Sequence, residues 1–321
     1  MTFLQSAIIM DEPSFPLLCT RGRYQFDVPL KALTWFSVGG PAEIIYKPKD
    51  SEDLADFLKK NANTYKYPVF VLGAGSNIIV RDGGVKGVVI RLVGASFASI
   101  HIEGDVVEVG AGVLDRTLAL TCQSYGLGGL EFFIGVPGTI GGALAMNAGA
   151  YGAETKDRLL WAEAVSPDGQ IHRLTPEEMG FAYRTCAIPS DWIFTRAAFQ
   201  TTKEDPSVIQ GRMTDILARR QATQPVKGRT GGSTFKNPHD EETYLADPTK
   251  KRAWQLIDAA GCRGMVHGDA MMSELHCNFM MNMGNANARE LEELGEQVKK
   301  SVFDTTGETL FWEIRCVGET A

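Results

Sequence analysis

The chain has 321 residues, 44 % of them hydrophobic and 22 % charged, enough for a full core and, at roughly 150 residues per domain, for two domains. Its formal net charge of −7 speaks against a nucleic-acid-binding surface, which needs clustered Lys and Arg, and leaves only a local basic pocket for a small anion. The six cysteines form no CxxC or His/Cys pattern, so neither a metal site nor a disulfide framework is expected. No apolar run approaches the ~20 residues that span a bilayer, and Met1 to Glu12 carries acids where a signal peptide has a basic start. The reading is a cytoplasmic protein without membrane insertion.

In chain order, residues 1–30 read as an irregular arm or early helix. Ala42 to Pro48 is a short strand, and Ser51 is the expected N-cap of a helix with Glu52 and Asp53 in its first turn. Leu54, Phe57 and Leu58 give that helix an apolar stripe. Pro68 to Leu72 is a buried strand running into Gly73-Ala74-Gly75-Ser76-Asn77. No GK[ST] follows and no third glycine opens a helix, so this is neither a P-loop nor a Rossmann fingerprint. It is either a turn that meets phosphate or a plain hairpin-type turn. Short β-branched runs at Ile78–Val80, Val85–Leu92 and Ile100–Gly110 suggest a mixed sheet rather than alternating βαβ units.

A helix over Leu114–Tyr125 leads into Gly128–Gly152, a stretch with eight glycines and almost no charge. Without Cβ atoms such backbone can approach a bulky ligand with phosphates and a flat ring; close internal packing is the alternative. Strands follow at Trp161–Val165, Ile171–Leu174 and Ile193–Gln200, with a helix start at Thr175-Pro176. The charged Lys203–Pro206 marks a domain boundary, and a helix over Val208–Gln221 ends in Arg219-Arg220, read as a charged helix end. Beyond it come a helix at Ala253–Ala260, a strand region at Ser273–Asn282, an amphipathic helix over Ala288–Phe303 and a last strand at Phe311–Val317. Met271, Met272, Met280, Met281 and Met283 read as core packing.

Six motifs, taken in order, resemble one family: GAGSN from Gly73, GVPGTIGGALAMNAGAYG from Gly135, FAYR from Phe181, GGSTFKNP from Gly231, SELHCNF from Ser273 and WEIRCVG from Trp312. They are similar to the UDP-N-acetylenolpyruvoylglucosamine reductases, flavoenzymes that complete UDP-N-acetylmuramate for bacterial peptidoglycan. The resemblance implies an α+β fold. An FAD-binding domain over 31–203, in two subdomains (about 31–95 and 96–203) of the vanillyl-alcohol-oxidase/PCMH type, precedes a smaller α+β substrate-binding domain over 204–321. It implies noncovalent FAD held by Gly73, Ala74, Gly75, Ser76 and Asn77, and by Val136, Pro137, Gly138, Thr139, Gly141, Gly142 and Asn147. The hydride donor would be NADPH and the substrate UDP-N-acetyl-enolpyruvoylglucosamine. The short Lys203–Val208 stretch matches the branch without a tyrosine-bearing insertion.

The resemblance also assigns chemistry. Hydride addition to an α,β-unsaturated carboxylate piles negative charge onto that carboxylate, so a cation and a proton donor are needed beside it. Arg184 matches the cation, and its forked donors suit a carboxylate. Ser233 matches the proton donor, able to act because an enolate-like carbon is so basic. Glu313 matches a carboxyl group beside the intermediate. Asn237, with Lys236 as helper, would hold the substrate diphosphate, and His276 would face the substrate. Cys186 stands where the family has serine, and Met271 and Met272 where it usually has Gln and Val. The alternatives are another FAD-dependent oxidoreductase on the same scaffold or a non-catalytic nucleotide-sugar-binding relative.

Overall fold

The computed structural model describes residues 18–239, 241–247 and 249–321; residues 1–17 of the expected N-terminal arm lie outside them. The chain builds first β1 (Arg23–Pro29), β2 (Pro41–Lys47), α1 (Ser51–Thr64), β3 (Val69–Val71), β4 (Ile78–Val80) and β5 (Val85–Ile90). β1 corrects the reading of an irregular start: it pairs antiparallel with β2 from Arg23↔Lys47 to Pro29↔Pro41. As a largely exposed edge strand it has no apolar alternation to announce it. Parallel pairing completes a sheet in the order β1-β2-β5-β3. On one face Leu54, Phe57 and Leu58 of α1 pack against Tyr46, Val88 and Ile90; on the other, Ile45, Leu72 and Val89 meet Ile78 and Val80. The cap of α1 is Asp50, whose side chain accepts from the Asp53 N–H at 2.8 Å. Ser51, expected in that role, is the first helical residue and donates to Glu163 at 2.9 Å.

A second sheet is antiparallel throughout, in the order β12-β11-β13-β7-β6. The segment that builds it runs through β6 (Ile100–Glu103), β7 (Val106–Gly110), α2 (Asp115–Ser124), β8 (Leu127–Gly128), α3 (Ile140–Met146), β9 (Gly149–Ala150), β10 (Ala153–Glu154), β11 (Leu159–Val165), β12 (Ile171–Leu174), α4 (Pro176–Met179), β13 (Ile193–Gln200), β14 (Thr202–Lys203) and α5 (Pro206–Thr223), with β8-β14 and β9-β10 as separate two-stranded pairs. α3 lies inside the glycine-rich stretch, where no helix was expected. α5 differs from the expected domain division: its Ile209 and Met213 are buried with Leu118, Phe132 and Phe133 of the second sheet's core. The charged Lys203–Pro206 is a strand-to-helix turn, capped by Asp205. The core therefore changes hands after α5, near residue 224, rather than at residue 204.

The remainder holds α6 (Glu241–Ala246), α7 (Ala253–Ala259), β15 (Val266–His267), β16 (Ala270–Met272), β17 (Met280–Asn282), α8 (Ala288–Thr306) and β18 (Arg315–Val317). β15-β16-β17 form a small sheet covered by α8, whose Leu291, Leu294, Val298 and Val302 are fully buried with Met272, Met280 and Leu256. Burying each such side chain is worth about 1.5–3 kcal/mol. Asn287 caps α8 reciprocally with Glu290, which places the start of that stripe. Of the strand region expected over Ser273–Asn282 only β17 is strand, joined to β16 by a turn, and the last strand begins only at Arg315. β18 returns to pair in parallel with β4, Arg315↔Ile78 to Val317↔Val80, so the end of the chain is stitched beside the Gly73–Asn77 turn.

Candidate active site

A cavity of about 810 Å³ opens where the two sheets and the last unit meet, inside the range of about 300–1,000 Å³ that suits small-molecule sites. Gly73 to Asn77, leaving β3, forms one wall. Gly75 takes φ +66°, and a Cβ there would fall on the Leu33 carbonyl, so only glycine makes this turn. Its carbonyl accepts from the Trp35 N–H at 3.0 Å, yet the five N–H groups from Gly73 to Asn77 donate to no acceptor among the described residues. Consecutive free N–H groups in a turn are the makings of an anion site.

The second wall is Gly135–Gly142. Ser76 donates its hydroxyl to the Pro137 carbonyl at 2.8 Å, and a Cβ on Gly73 would lie 2.8 Å from Thr139 Oγ1, so the two glycine-rich segments touch. The N–H groups of Ile140 and Gly141 are taken by the Val113 and Ala111 carbonyls at 3.0 and 2.9 Å. Gly142 faces the cavity, and a Cβ there would meet no protein atom closer than 3.8 Å. What Gly142 keeps clear is the cavity itself.

Ser233, Glu313 and Arg184 line the same space. Thr234, beside Ser233, accepts from the Glu313 N–H at 2.9 Å, and Asn77 donates to the Glu313 carbonyl at 3.2 Å, so one backbone knot ties both residues to the Gly73–Asn77 turn. Glu313 lies in the loop before β18, not on a strand, and its side chain is 14 % exposed. Burial pushes its carboxyl pKa up, against the opposing pull of Arg184 and Lys236. Arg184 Nε stands 3.5 Å from Glu313 Oε1, and Nη2 donates to the Gly149 carbonyl at 2.9 Å. Its φ of +55° is a backbone state that a non-glycine residue holds only under constraint, a mark of functional positions.

Other expected residues sit elsewhere. Asn147 does not line the cavity: fully buried, it ends α3 in the left-handed region at φ +44° and ties Glu154 and the Ala182 carbonyl together. It shapes the Arg184 loop instead. Asn237 accepts from the Ala253 N–H at 3.1 Å, at the start of α7. Lys236 is near enough to Glu313 to act on its charge, and His276 stacks edge-on against the cavity residue Phe279. Burial lowers the His276 pKa, which favours the neutral ring. Neither Lys236, Asn237 nor His276 is part of the wall.

Among the charged wall residues that the motifs did not point to are Arg91, Asp115 and Arg220. Arg220, expected to be a charged helix end, is half-buried and bonded to Gln224 at 3.2 Å. Among the described residues no group of His, Cys, Asp and Glu could hold a metal ion, and no helix is long and apolar enough to cross a membrane.

Free turn N–H groups, a glycine-cleared cavity and the two-sheet frame are what a nucleotide cofactor requires. Residues 42–175 match the family model described as an FAD binding domain, which places the chain in the class of FAD-binding proteins. Residues 224–317 match the one described as UDP-N-acetylenolpyruvoylglucosamine reductase, C-terminal domain. The chain is 48 % identical over 315 residues to the UDP-N-acetylenolpyruvoylglucosamine reductase of Acidiphilium cryptum, covering 98 % of each protein. It is 50 % identical over 298 residues to that of Paramagnetospirillum magneticum, covering 93 % of each. The crystal structure of the Thermus caldophilus UDP-N-acetylenolpyruvylglucosamine reductase superposes with a TM-score of 0.77 at 34 % identity, over 93 % of this chain and all of that one. The chain belongs to the UDP-N-acetylenolpyruvoylglucosamine reductase family.

Proposed function

We propose that this chain reduces UDP-N-acetyl-enolpyruvoylglucosamine to UDP-N-acetylmuramate in the cytoplasm, with NADPH as hydride donor and noncovalently bound FAD as carrier, supplying a peptidoglycan precursor. The observation that carries the reading is the meeting of Arg184, Ser233 and Glu313 in one cavity that the Gly73–Asn77 turn also lines, with Asn77 bonded to the Glu313 carbonyl. The residues fit the cofactor: free N–H groups in that turn suit its diphosphate, and Gly142 leaves space for its bulk. Bound there, FAD would take a hydride from NADPH and return it to the enol-ether carbon β to the substrate carboxylate.

The protein's own part is charge and proton management. Arg184, held by Gly149 and Glu313, presents a guanidinium to the carboxylate on which negative charge grows. Ser233 holds its hydroxyl beside the α carbon and delivers the proton there, which a serine does only where water is excluded and the acceptor is strongly basic. Glu313, whose carboxyl pKa burial raises, in its protonated form supplies a hydrogen-bond donor to the same developing charge. Asn237 and Lys236, on the loop after Ser233, would hold the diphosphate of the substrate.

Ser233→Ala tests these roles. In anaerobic stopped-flow the variant is expected to bind flavin and to be reduced by NADPH at nearly the wild-type rate, while reoxidation by the sugar nucleotide falls by a factor of about 10² or more, the usual weight of one acid–base group. Equal loss in both half-reactions would remove Ser233 from the proton-donor role.

A further inference from the structure

β5 ends at Ile90, and the next residue, Arg91, carries its charge into the cavity wall. The guanidinium is half-buried and has no hydrogen-bond acceptor or ion-pair partner among the described residues. The other half-buried arginines of the wall differ: Arg184 has Gly149 and Glu313, and Arg220 has Gln224. Burial alone pulls the Arg91 pKa down, with no neighbouring carboxylate to oppose it. A charge withdrawn from water without a partner is costly, so the site is incomplete without an anion.

Register says where that anion lies. β3 and β5 run parallel with Val71 opposite Ile90, and the Leu72 N–H donates to the Ile90 carbonyl at 3.0 Å. Arg91 therefore stands alongside Leu72, one residue before Gly73 and its run of free N–H groups. This is the carboxyl end of parallel strands, where α/β sheets receive nucleotide ligands. We propose that Arg91 is a cofactor-binding residue that pairs with the diphosphate of FAD from the strand end, while the N–H groups of Gly73–Asn77 hold it from the turn. The proposal rests on the FAD reading above.

The test is flavin titration of the full-length chain stripped of cofactor, followed by fluorescence, for wild type, Arg91→Ala and Arg91→Lys. FAD dissociation is expected to weaken on the order of tenfold to a hundredfold in Arg91→Ala, the weight of a hydrogen bond to a charged group, and to recover in part in Arg91→Lys. The salt dependence of FAD affinity should flatten in Arg91→Ala. Riboflavin, which lacks phosphate, should bind both chains alike, and the cofactor-free Arg91→Ala chain should melt close to wild type, because no hydrogen bond or ion pair of the guanidinium is lost. Unchanged FAD affinity overturns the proposal, as does an equal loss for riboflavin. So does intact FAD affinity with a raised KM for the sugar nucleotide, which would give Arg91 to the substrate. A wild-type chain that takes up no FAD would instead overturn the functional reading beneath it.

Discussion

At position 115 a carboxyl group has both oxygens buried and no hydrogen-bond partner among the described residues. A Cβ on Gly138 would lie 2.8 Å from it, so it sits directly beneath the second glycine-rich wall. Burial raises the Asp115 pKa well above the ordinary 3.8. The native chain therefore keeps a proton there that the unfolded chain releases, and the stability this group contributes is full below about 3.8 and is lost as pH rises toward its folded value. Asp115→Asn, neutral at every pH, should gain on wild type as pH rises from the acid range to neutrality, because only the carboxyl group must hold a proton against the solvent to stay uncharged in its buried place. Urea midpoints across that range check this; a difference that stays flat with pH would contradict it. Glu313 shares the upward direction but lines the cavity, in the proposed catalytic set. Reoxidation by substrate should slow as pH climbs through its raised pKa, and Glu313→Gln should lose that limb. The same limb in both proteins would assign it to another group.

Among the elements, α8 shows how a contact can overrule propensity. Gly295 sits in its interior, where alanine would ordinarily be better by about 1 kcal/mol. A Cβ there would overlap the Trp312 ring, which is pinned by its indole N–H to Glu296 at 2.7 Å and packed on Phe235. Overpacking costs about 1–3 kcal/mol, so Gly295→Ala should lower the urea midpoint despite the gain in helix propensity; a rise would mean that the ring yields. The stripe of α8 and the buried runs of β2, β4 and β13 were legible because their periodicity or apolar length is local. β1 was not, since an exposed edge carries no such pattern, and α3 was hidden because its helix forms within a glycine-rich segment of low propensity. The Arg184, Ser233 and Glu313 set was readable through motif resemblance. Arg91 and Asp115 were not, because what distinguishes them is the absence of a partner, which only the packed chain reveals.

For the molecule as a whole, the cavity belongs to no single unit. Asn77 bonds Glu313 across 236 positions of sequence, β18 pairs with β4, and Phe36 and Ile79 of the first unit are buried in the core of the last. Such closure brings the Gly73–Asn77 turn, proposed to hold the cofactor, to Glu313, the proposed acid, as a two-stage hydride and proton transfer at one site requires. The most direct measurement is the visible spectrum of the purified protein under anaerobic conditions, first with NADPH and then with UDP-N-acetyl-enolpyruvoylglucosamine. The flavin colour should bleach with the nucleotide and return with the sugar. Bleaching that the sugar nucleotide does not reverse would contradict the assigned reaction, and a protein unable to hold flavin would contradict the cofactor as well.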